Sequence, residues 1–291
     1  MIVEEYVNQA ARRFDEAGLH FGHGTETAWD EAVWLVKHVL ALPASAELLA
    51  DQRLVPDQQH QADRLVEQRI QSRKPLAYLI NSAWFCGLEF YVDERVIIPR
   101  SPIAELICRE FVPWLSAPPK RILDLGSGSG CIAIALAMQF GRATVDATDI
   151  SAQALAVARV NVERYKLTDR VTLIAADIFD GLPNRRYDLI VSNPPYVDAE
   201  DMANLPNEYR HEPALALESG LDGLDLVRRI LRQATDYLSK QGVLICEVGN
   251  SQMALEQTYP EVPFMWLEFA NGGQGVFLIT AEELTRYAHV F

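Results

Sequence analysis

The sequence has no long apolar run. The longest such stretch, CIAIALAM, spans only residues 131–138, whereas a membrane-spanning helix needs roughly 20 apolar residues. The first residues, MIVEEYVNQAARRF, carry both charges and no apolar signal core. We therefore expect a cytoplasmic protein without a membrane segment.

Cysteine is also scarce. The four cysteines fall in separate segments and form no CxxC pair: Cys86, Cys108, Cys131 and Cys246. This spacing argues against a disulfide framework or a zinc cage and favours reduced thiols. His20 and His23 are close enough to share a metal, but no third ligand accompanies them. We predict no metal site.

Basic residues are few, with 26 Lys and Arg against 40 Asp and Glu, which gives a net charge of −14. A nucleic-acid-binding protein needs a basic surface to replace phosphate counterions, so we expect no direct sequence-specific nucleic-acid binding. Half of the net charge lies in residues 197–226, where eight acidic residues accompany one basic residue. This segment is either a solvated loop or a surface for a basic protein partner.

The order of predicted elements divides the chain. Residues 1–80 predict a helical substrate-recognition domain, with a helix near TETAWDEAVWLVKHVLAL capped by Thr25 or Thr27. Residues 81–100 predict a hairpin linker ending at Pro99. Residues 101–291 alternate short apolar strands with helices, which indicates an α/β domain with a mainly parallel sheet covered on both faces.

A glycine-rich loop follows the first strand of this α/β domain. The segment Asp124-Leu-Gly126-Ser127-Gly128-Ser-Gly130 joins RILDL to a helix, where parallel sheets bind ligands. Its GxGxG spacing differs from the dinucleotide GxGxxG, which weakens a nicotinamide dehydrogenase as the alternative.

Acidic residues follow the neighbouring strands. Asp149 ends ATD, where a carboxylate can accept from ribose hydroxyls, and Asp177 ends AAD, where it can accept from an adenine amino group. Asp124 can orient an ammonium group directly or through water. Together with the glycine loop, these carboxylates favour a cofactor that carries a sulfonium and an ammonium over one that carries phosphate.

The strand YDLIVS ends in Asn193-Pro194-Pro195-Tyr196. Two prolines fix the backbone and remove two N–H donors, so the asparagine oxygen and the Pro194 carbonyl can accept both hydrogens of a substrate NH2 group. Tyr196 can stack on a flat amide or base. The motif predicts methylation of a planar nitrogen, either of adenine or of glutamine.

These motifs together resemble the class I S-adenosylmethionine methyltransferases, which have a Rossmann-like fold with a seven-stranded, mainly parallel sheet. The helical front domain, VIIPRSPIAELI, and NPPY followed by EPALALESGLDGL resemble the protein N(5)-glutamine methyltransferases over essentially the whole chain. The segments AWFCGLEFYVDERVIIPRSP and WLEFANGGQGVF resemble those of the branch that acts on large-subunit ribosomal protein L three. Ser127, where threonine is usual, is a minor departure.

The resemblance implies S-adenosyl-L-methionine as cofactor and ribosomal protein L three, free or in an assembling subunit, as partner. It also implies that Arg100 and Glu105 border the active site, and Glu212 is interpreted as structural or as positioning the substrate. A release-factor glutamine methyltransferase, an adenine-N6 methyltransferase of RNA or DNA, and a binding module without turnover are the alternatives.

Overall fold

The computed structural model describes residues 1–43 and 45–291, which form two compact units. The first unit comprises residues 1–94, 98–100 and 206–212, and the second comprises residues 95–97, 101–205 and 213–291. The expected boundaries at residues 80 and 100 treat the chain as three consecutive segments. The structure instead places the hairpin in the first unit and returns residues 206–212 to that unit.

Helices dominate the first unit. They are α1 (Val3–Glu16), α2 (Ala28–Val39), α3 (Pro56–Ser72) and α4 (Leu76–Ile80), followed by the antiparallel hairpin of β1 (Ala83–Phe85) and β2 (Leu88–Phe90). The Thr27 hydroxyl accepts from the Asp30 N–H and so caps α2, which confirms one of the two predicted caps. Pro56 begins α3, where its missing N–H costs no hydrogen bond.

The core of the first unit follows from helical periodicity. In α1, buried side chains recur at three- and four-residue spacing, namely Val3, Tyr6, Val7, Ala10 and Phe14. They pack in one cluster with α2 and α3 residues that include Leu35, Val36 and Val66. The apolar faces of the helices thus share a single core.

The second unit is built on a seven-stranded sheet in the described residues, with order β5-β4-β3-β6-β7-β9-β8. Its strands are β3 (Arg121–Leu125), β4 (Thr144–Asp149), β5 (Val171–Ala175), β6 (Tyr187–Ser192), β7 (Leu238–Glu247), β8 (Met265–Trp266) and β9 (Val276–Thr280). The first five in sheet order are parallel, whereas β9 is antiparallel to β7 and β8 is antiparallel to β9.

Helices connect these strands and complete the second unit. They are α5 (Ile103–Cys108), α6 (Cys131–Gln139), α7 (Ala152–Arg164), α8 (Ala199–Asn204), α9 (Asp225–Ala234), α10 (Gln252–Thr258) and α11 (Ala281–Arg286). None of the helices in the described ranges is long and apolar enough to cross a membrane. The predicted fold class, a mainly parallel seven-stranded sheet preceded by a helical domain, is confirmed.

The strand order fixes where a ligand can bind. The chain starts the sheet at β3, proceeds outward through β4 and β5, and then returns to β6 on the other side of β3. The crevice at such a switch point, beyond the carboxyl ends of the strands, is the ligand site of open α/β sheets. Both the glycine loop after β3 and the NPPY segment after β6 lie there.

Candidate active site

The glycine loop needs glycine for two different reasons. Gly126, Gly128 and Gly130 have φ values of 74°, 53° and 79°, in the left-handed region that disfavours side chains. A Cβ at Gly126 or Gly128 would meet no atom within 4 Å, so the backbone there borders open space. A Cβ at Gly130 would lie 3.2 Å from that of Ala158, so this glycine permits close packing of α6 on α7.

Asp124 is fully buried behind this loop. One carboxylate oxygen accepts from the Ala133 N–H at 3.1 Å, whereas the other, Oδ1, has no hydrogen-bond partner. It is the one buried side-chain polar atom without a partner among the described residues of the second unit. Burial raises the pKa of Asp124 to about 7. Such an orphaned acceptor fits the ammonium group of a ligand.

Asp149 holds the loop in place. Its two carboxylate oxygens accept from the backbone N–H groups of Gly128 and Ser151 at 2.9 and 2.8 Å. Burial raises its pKa, opposed by these two hydrogen bonds. The Ser127 hydroxyl donates to the Asp124 carbonyl at 3.2 Å, which closes the turn from within. These loop contacts could not be read from the spacing alone.

Asp177 lies two residues beyond the end of β5. Its carboxylate pairs with both terminal nitrogens of Arg229 on α9, at 3.0 and 2.9 Å. The sequence alone does not distinguish Arg229, because an arginine on an amphipathic helix is ordinarily a surface residue. The pair leaves part of the Asp177 carboxylate exposed, with 43% of its side chain accessible.

A cavity of about 290 Å³ joins these segments within the second unit. Its lining includes Gly126, Gly128, Asp149, Asp177, Asn193, Pro194 and Pro195. Asp124 itself is not part of the lining, although the adjacent Leu125 is. The structure therefore brings the glycine loop, two of the three predicted carboxylates and the first three residues of NPPY to one cavity.

Tyr196 is held beside the cavity. Its hydroxyl donates to Oε1 of Glu247 at 3.0 Å, and its backbone carbonyl accepts from the Ser251 hydroxyl at 2.8 Å. Glu247 is the last residue of β7 and is buried. An acidic residue at the end of an apolar strand was a readable signal, the same one that identified Asp149.

Arg100 and Glu212 belong to the first unit and pair with each other. The guanidinium contacts both carboxylate oxygens, at 2.6 and 2.8 Å, and lies 5.4 Å from the centre of the Tyr209 ring. Glu212 also accepts from the Ile98 N–H at 2.9 Å. Glu212 thus holds both ends of the segment 98–100.

Glu105, on α5 of the second unit, organises the turn at residues 270–273. Its carboxylate accepts from the backbone N–H groups of Ala270 and Asn271 and from the Asn271 side chain, at 3.0 to 3.2 Å. These hydrogen bonds lower the pKa of Glu105. The contact joins the PRSPIAEL and NGGQG segments, which the sequence could not show to be neighbours.

The protein is a class I S-adenosylmethionine-dependent methyltransferase, as defined by the strand order of its sheet, its glycine loop and the position of NPPY at the cavity. The crystal structure of a methyltransferase from Pyrococcus furiosus shares this fold, with a TM-score of 0.50 and 20% sequence identity over 76% of this chain and 98% of that one. At this identity the likeness concerns the fold alone.

Sequence relatives define the family. Residues 5–80 match the PrmC N-terminal domain, and residues 108–220 match the Methyltransferase small domain. The chain is 47% identical to the ribosomal protein uL3 glutamine methyltransferase of Francisella tularensis, over 99% of this chain and 93% of that protein. It is 48% identical to the protein of that name from Neisseria gonorrhoeae, over 97% of this chain and 95% of that one.

The chain therefore belongs to the family of ribosomal protein uL3 glutamine methyltransferases. It is an S-adenosylmethionine-dependent protein-glutamine methyltransferase, which confirms the resemblance and the cofactor predicted from its sequence. The nicotinamide and non-catalytic alternatives are thereby set aside.

Proposed function

We propose that this enzyme methylates the side-chain amide nitrogen of a glutamine in ribosomal protein uL3. The observation that carries the proposal is Asn193-Pro194-Pro195 at the cavity of a chain whose relatives, matched over nearly their full length, carry that activity in their names. A ribosomal substrate also agrees with the expected cytoplasmic location.

The second unit offers a consistent set of contacts for the cofactor. When bound, S-adenosylmethionine supplies an electrophilic methyl group on a sulfonium. The open backbone at Gly126 and Gly128 can approach it closely, and the unpartnered Oδ1 of Asp124 can accept from its ammonium group directly or through water. Asp149 would accept from the ribose hydroxyls, and Asp177 from the adenine amino group. Ser127 and Gly130 would keep the loop in shape.

The NPPY segment would activate the acceptor. An amide nitrogen is a poor nucleophile because its lone pair is delocalised into the carbonyl. In our proposal the Asn193 side-chain oxygen and the Pro194 carbonyl accept its two hydrogens and direct the lone pair towards the methyl group. Pro195 keeps this backbone rigid and Tyr196 stacks on the amide plane. Alignment supplies the acceleration, and the proton leaves once the nitrogen is alkylated.

The acidic segment at 197–226 supports a basic partner less strongly than its charge indicates. Glu208 and Glu212 are buried, near Arg73 and Arg100. Asp222 and Asp225 pair with Arg228. The remaining four carboxylates, on Asp198, Glu200, Asp201 and Glu218, are the ones that can attract a basic ribosomal protein. Attraction of this kind raises the association rate more than the affinity.

Arg100, Glu105 and Glu212 would position the substrate through the segments that they hold. The Arg100–Glu212 pair fixes residues 98–100, and Glu105 fixes the turn at 270–273. We expect substitutions here to raise the KM for the protein substrate. They should leave cofactor binding intact.

A methyl-transfer assay with labelled S-adenosylmethionine tests the proposal. Purified uL3, a release factor and ribosomal RNA are compared as acceptors, with the wild type, Asn193→Ala and the control Asn184→Ala. Asn184 is exposed and precedes β6, the strand that Asn193 follows, so it lies at the opposite end of the same strand. We expect label on uL3 with the wild type and Asn184→Ala, and a loss of at least about 100-fold with Asn193→Ala.

Each other outcome has a definite meaning. Label on the release factor alone would reassign the substrate and leave the acceptor chemistry standing. Label in RNA alone would contradict the proposal in favour of adenine methylation. Full activity of Asn193→Ala on uL3 would remove the role given to NPPY.

A further inference from the structure

We infer that Glu247 is a positioning residue that sets the orientation of the Tyr196 ring against the acceptor amide. The inference rests on the proposed role of NPPY as the acceptor site. Glu247 is the last residue of β7, the strand that neighbours β6 in the sheet, and NPPY follows β6. Its carboxylate therefore reaches the acceptor segment from the adjacent strand.

The Glu247 carboxylate bonds two hydroxyl groups from distant parts of the chain. Oε1 accepts from the Tyr196 hydroxyl at 3.0 Å, and Oε2 accepts from the Ser101 hydroxyl at 2.5 Å. Ser101 is itself buried and its oxygen accepts from the Ile103 N–H at 3.2 Å, so the start of α5 fixes the serine. The carboxylate thus ties Tyr196 to a rigid framework.

Close packing also fixes Tyr196. Gly249 lies against the ring, and a Cβ at that position would be 2.5 Å from Cε2 of Tyr196. A Cβ at Gly223 would be 2.2 Å from the Tyr196 carbonyl oxygen, which accepts from Ser251. Neither glycine can carry a side chain without displacing the tyrosine.

These contacts hold Tyr196 by its hydroxyl, its ring and its backbone carbonyl. Glu247 is buried at the end of β7, so the carboxylate that bonds the Tyr196 hydroxyl sits on a rigid strand. A stacking surface that must lie parallel to a planar amide does require a fixed ring, because misplacement by about 1 Å can cost about 100-fold in rate.

Two variants of Glu247 separate orientation from folding. Glu247→Gln retains an acceptor oxygen for the Tyr196 hydroxyl and an amide that can donate to Ser101. Glu247→Leu keeps the volume and removes the acceptor. Cys246→Ala is the matched control, because this adjacent buried residue of β7 packs in the apolar core. Tyr196→Phe removes the hydroxyl from the other side of the contact.

Methyl transfer to uL3 and cofactor binding by calorimetry are the first readouts. We expect Glu247→Leu to lower kcat by about 10- to 100-fold with little change in the Kd for S-adenosylmethionine, and Glu247→Gln to stay within about threefold of the wild type. Glu247→Leu combined with Tyr196→Phe should lose no more than either variant alone, because both break one contact. Additive losses, or equal losses in Cys246→Ala, would overturn the inference.

A second readout does not depend on activity. The wild type is labelled with ¹³C on tyrosine, and the Tyr196 ring signal is assigned by its absence in Tyr196→Phe. We expect Glu247→Leu to shift this signal and speed ring flipping, and Cys246→Ala to leave it in place. An unchanged Tyr196 signal would overturn the inference even with an active enzyme, whereas a wild type that methylates no uL3 would contradict only the proposed function.

Discussion

Two sets of buried charged groups, one in each unit, differ in how they are compensated. In the first, the guanidinium of Arg69 is fully buried and lies 2.6 Å from Glu31 and 3.7 Å from Glu208, and Arg100 binds both oxygens of Glu212. In the second, Asp124 is equally buried, yet no basic side chain in the described part of the chain pairs with it.

The presence or absence of a basic partner distinguishes buried charges that stabilise the fold from a buried charge that is available to a ligand. A buried charge beside an opposite charge stabilises one arrangement of the chain, even where single atoms such as Nη1 of Arg69 and Oε2 of Glu208 lack a hydrogen bond. A buried carboxylate without a basic partner is costly to fold, and a bound cationic group would offset that cost. The first pattern is expected to control stability, and the second to control cofactor affinity.

Loss of the buried Arg69 ion pair should lower the stability of the protein more than any other change considered. Arg69→Ala leaves the Glu31 carboxylate buried without its cation, whereas Glu208 keeps Arg73 at 3.0 Å. We expect a loss of about 3–5 kcal/mol in the free energy of unfolding. Urea denaturation measures it. The control is Arg13→Ala, whose partly exposed pair with Glu67 should be worth less than about 1 kcal/mol. Equal losses in both variants would contradict the structural role given to the buried pair.

Substitution of the unpaired Asp124 should raise the stability of the cofactor-free protein. Asp124→Asn removes a buried charge, so the cofactor-free protein should unfold at a higher urea concentration at pH 8. The affinity for S-adenosylmethionine should fall by about 10- to 100-fold, because the ammonium group loses a charged acceptor worth about 1.5–3 kcal/mol. Calorimetry supplies the Kd. An Asp124→Asn variant that is destabilised and binds normally would reverse the comparison.

The smallest expected effect is on the pH dependence of cofactor binding. Burial raises the pKa of Asp124 to about 7, so the cofactor-free protein holds this proton more tightly than the unfolded chain. The stability from this group is complete below about pH 4 and is lost as the pH rises through about 7. If the bound ammonium requires the ionised form, the Kd should be about tenfold weaker at pH 6 than at pH 8.

Asp124→Asn is also the control for this pH dependence, because the ligand's own ionisation is the same with both proteins. The wild-type Kd divided by the variant Kd, measured at each pH, isolates the carboxylate. A ratio that does not change between pH 6 and pH 8 would contradict the prediction that ionisation of Asp124 is coupled to cofactor binding in this range.

Features that depend on a local sequence pattern could be predicted from the sequence alone. Alternating apolar strands and helices predicted the α/β sheet, because burial on both faces leaves a periodic signature. The glycines at 126, 128 and 130 and the prolines at 194 and 195 restrict the backbone by themselves, so their place at strand ends could be predicted.

Pairing across long sequence separations could not be predicted. Glu212 lies 112 residues from Arg100, and Glu247 lies 51 residues from Tyr196. The charge count of residues 197–226 includes Glu208 and Glu212, although folding buries both. A composition count cannot distinguish a carboxylate that faces a partner protein from one that an arginine within the fold already occupies.

The position of the added methyl group is the sharpest test of the proposed function. After reaction of uL3 with the wild-type enzyme and S-adenosylmethionine, tandem mass spectrometry locates the added methyl group. We predict a single methyl group on the side chain of one glutamine, absent with Asn193→Ala and present with Asn184→Ala. A methyl group on a lysine, an arginine or the N-terminal amine of uL3, or one that persists with Asn193→Ala, would contradict it.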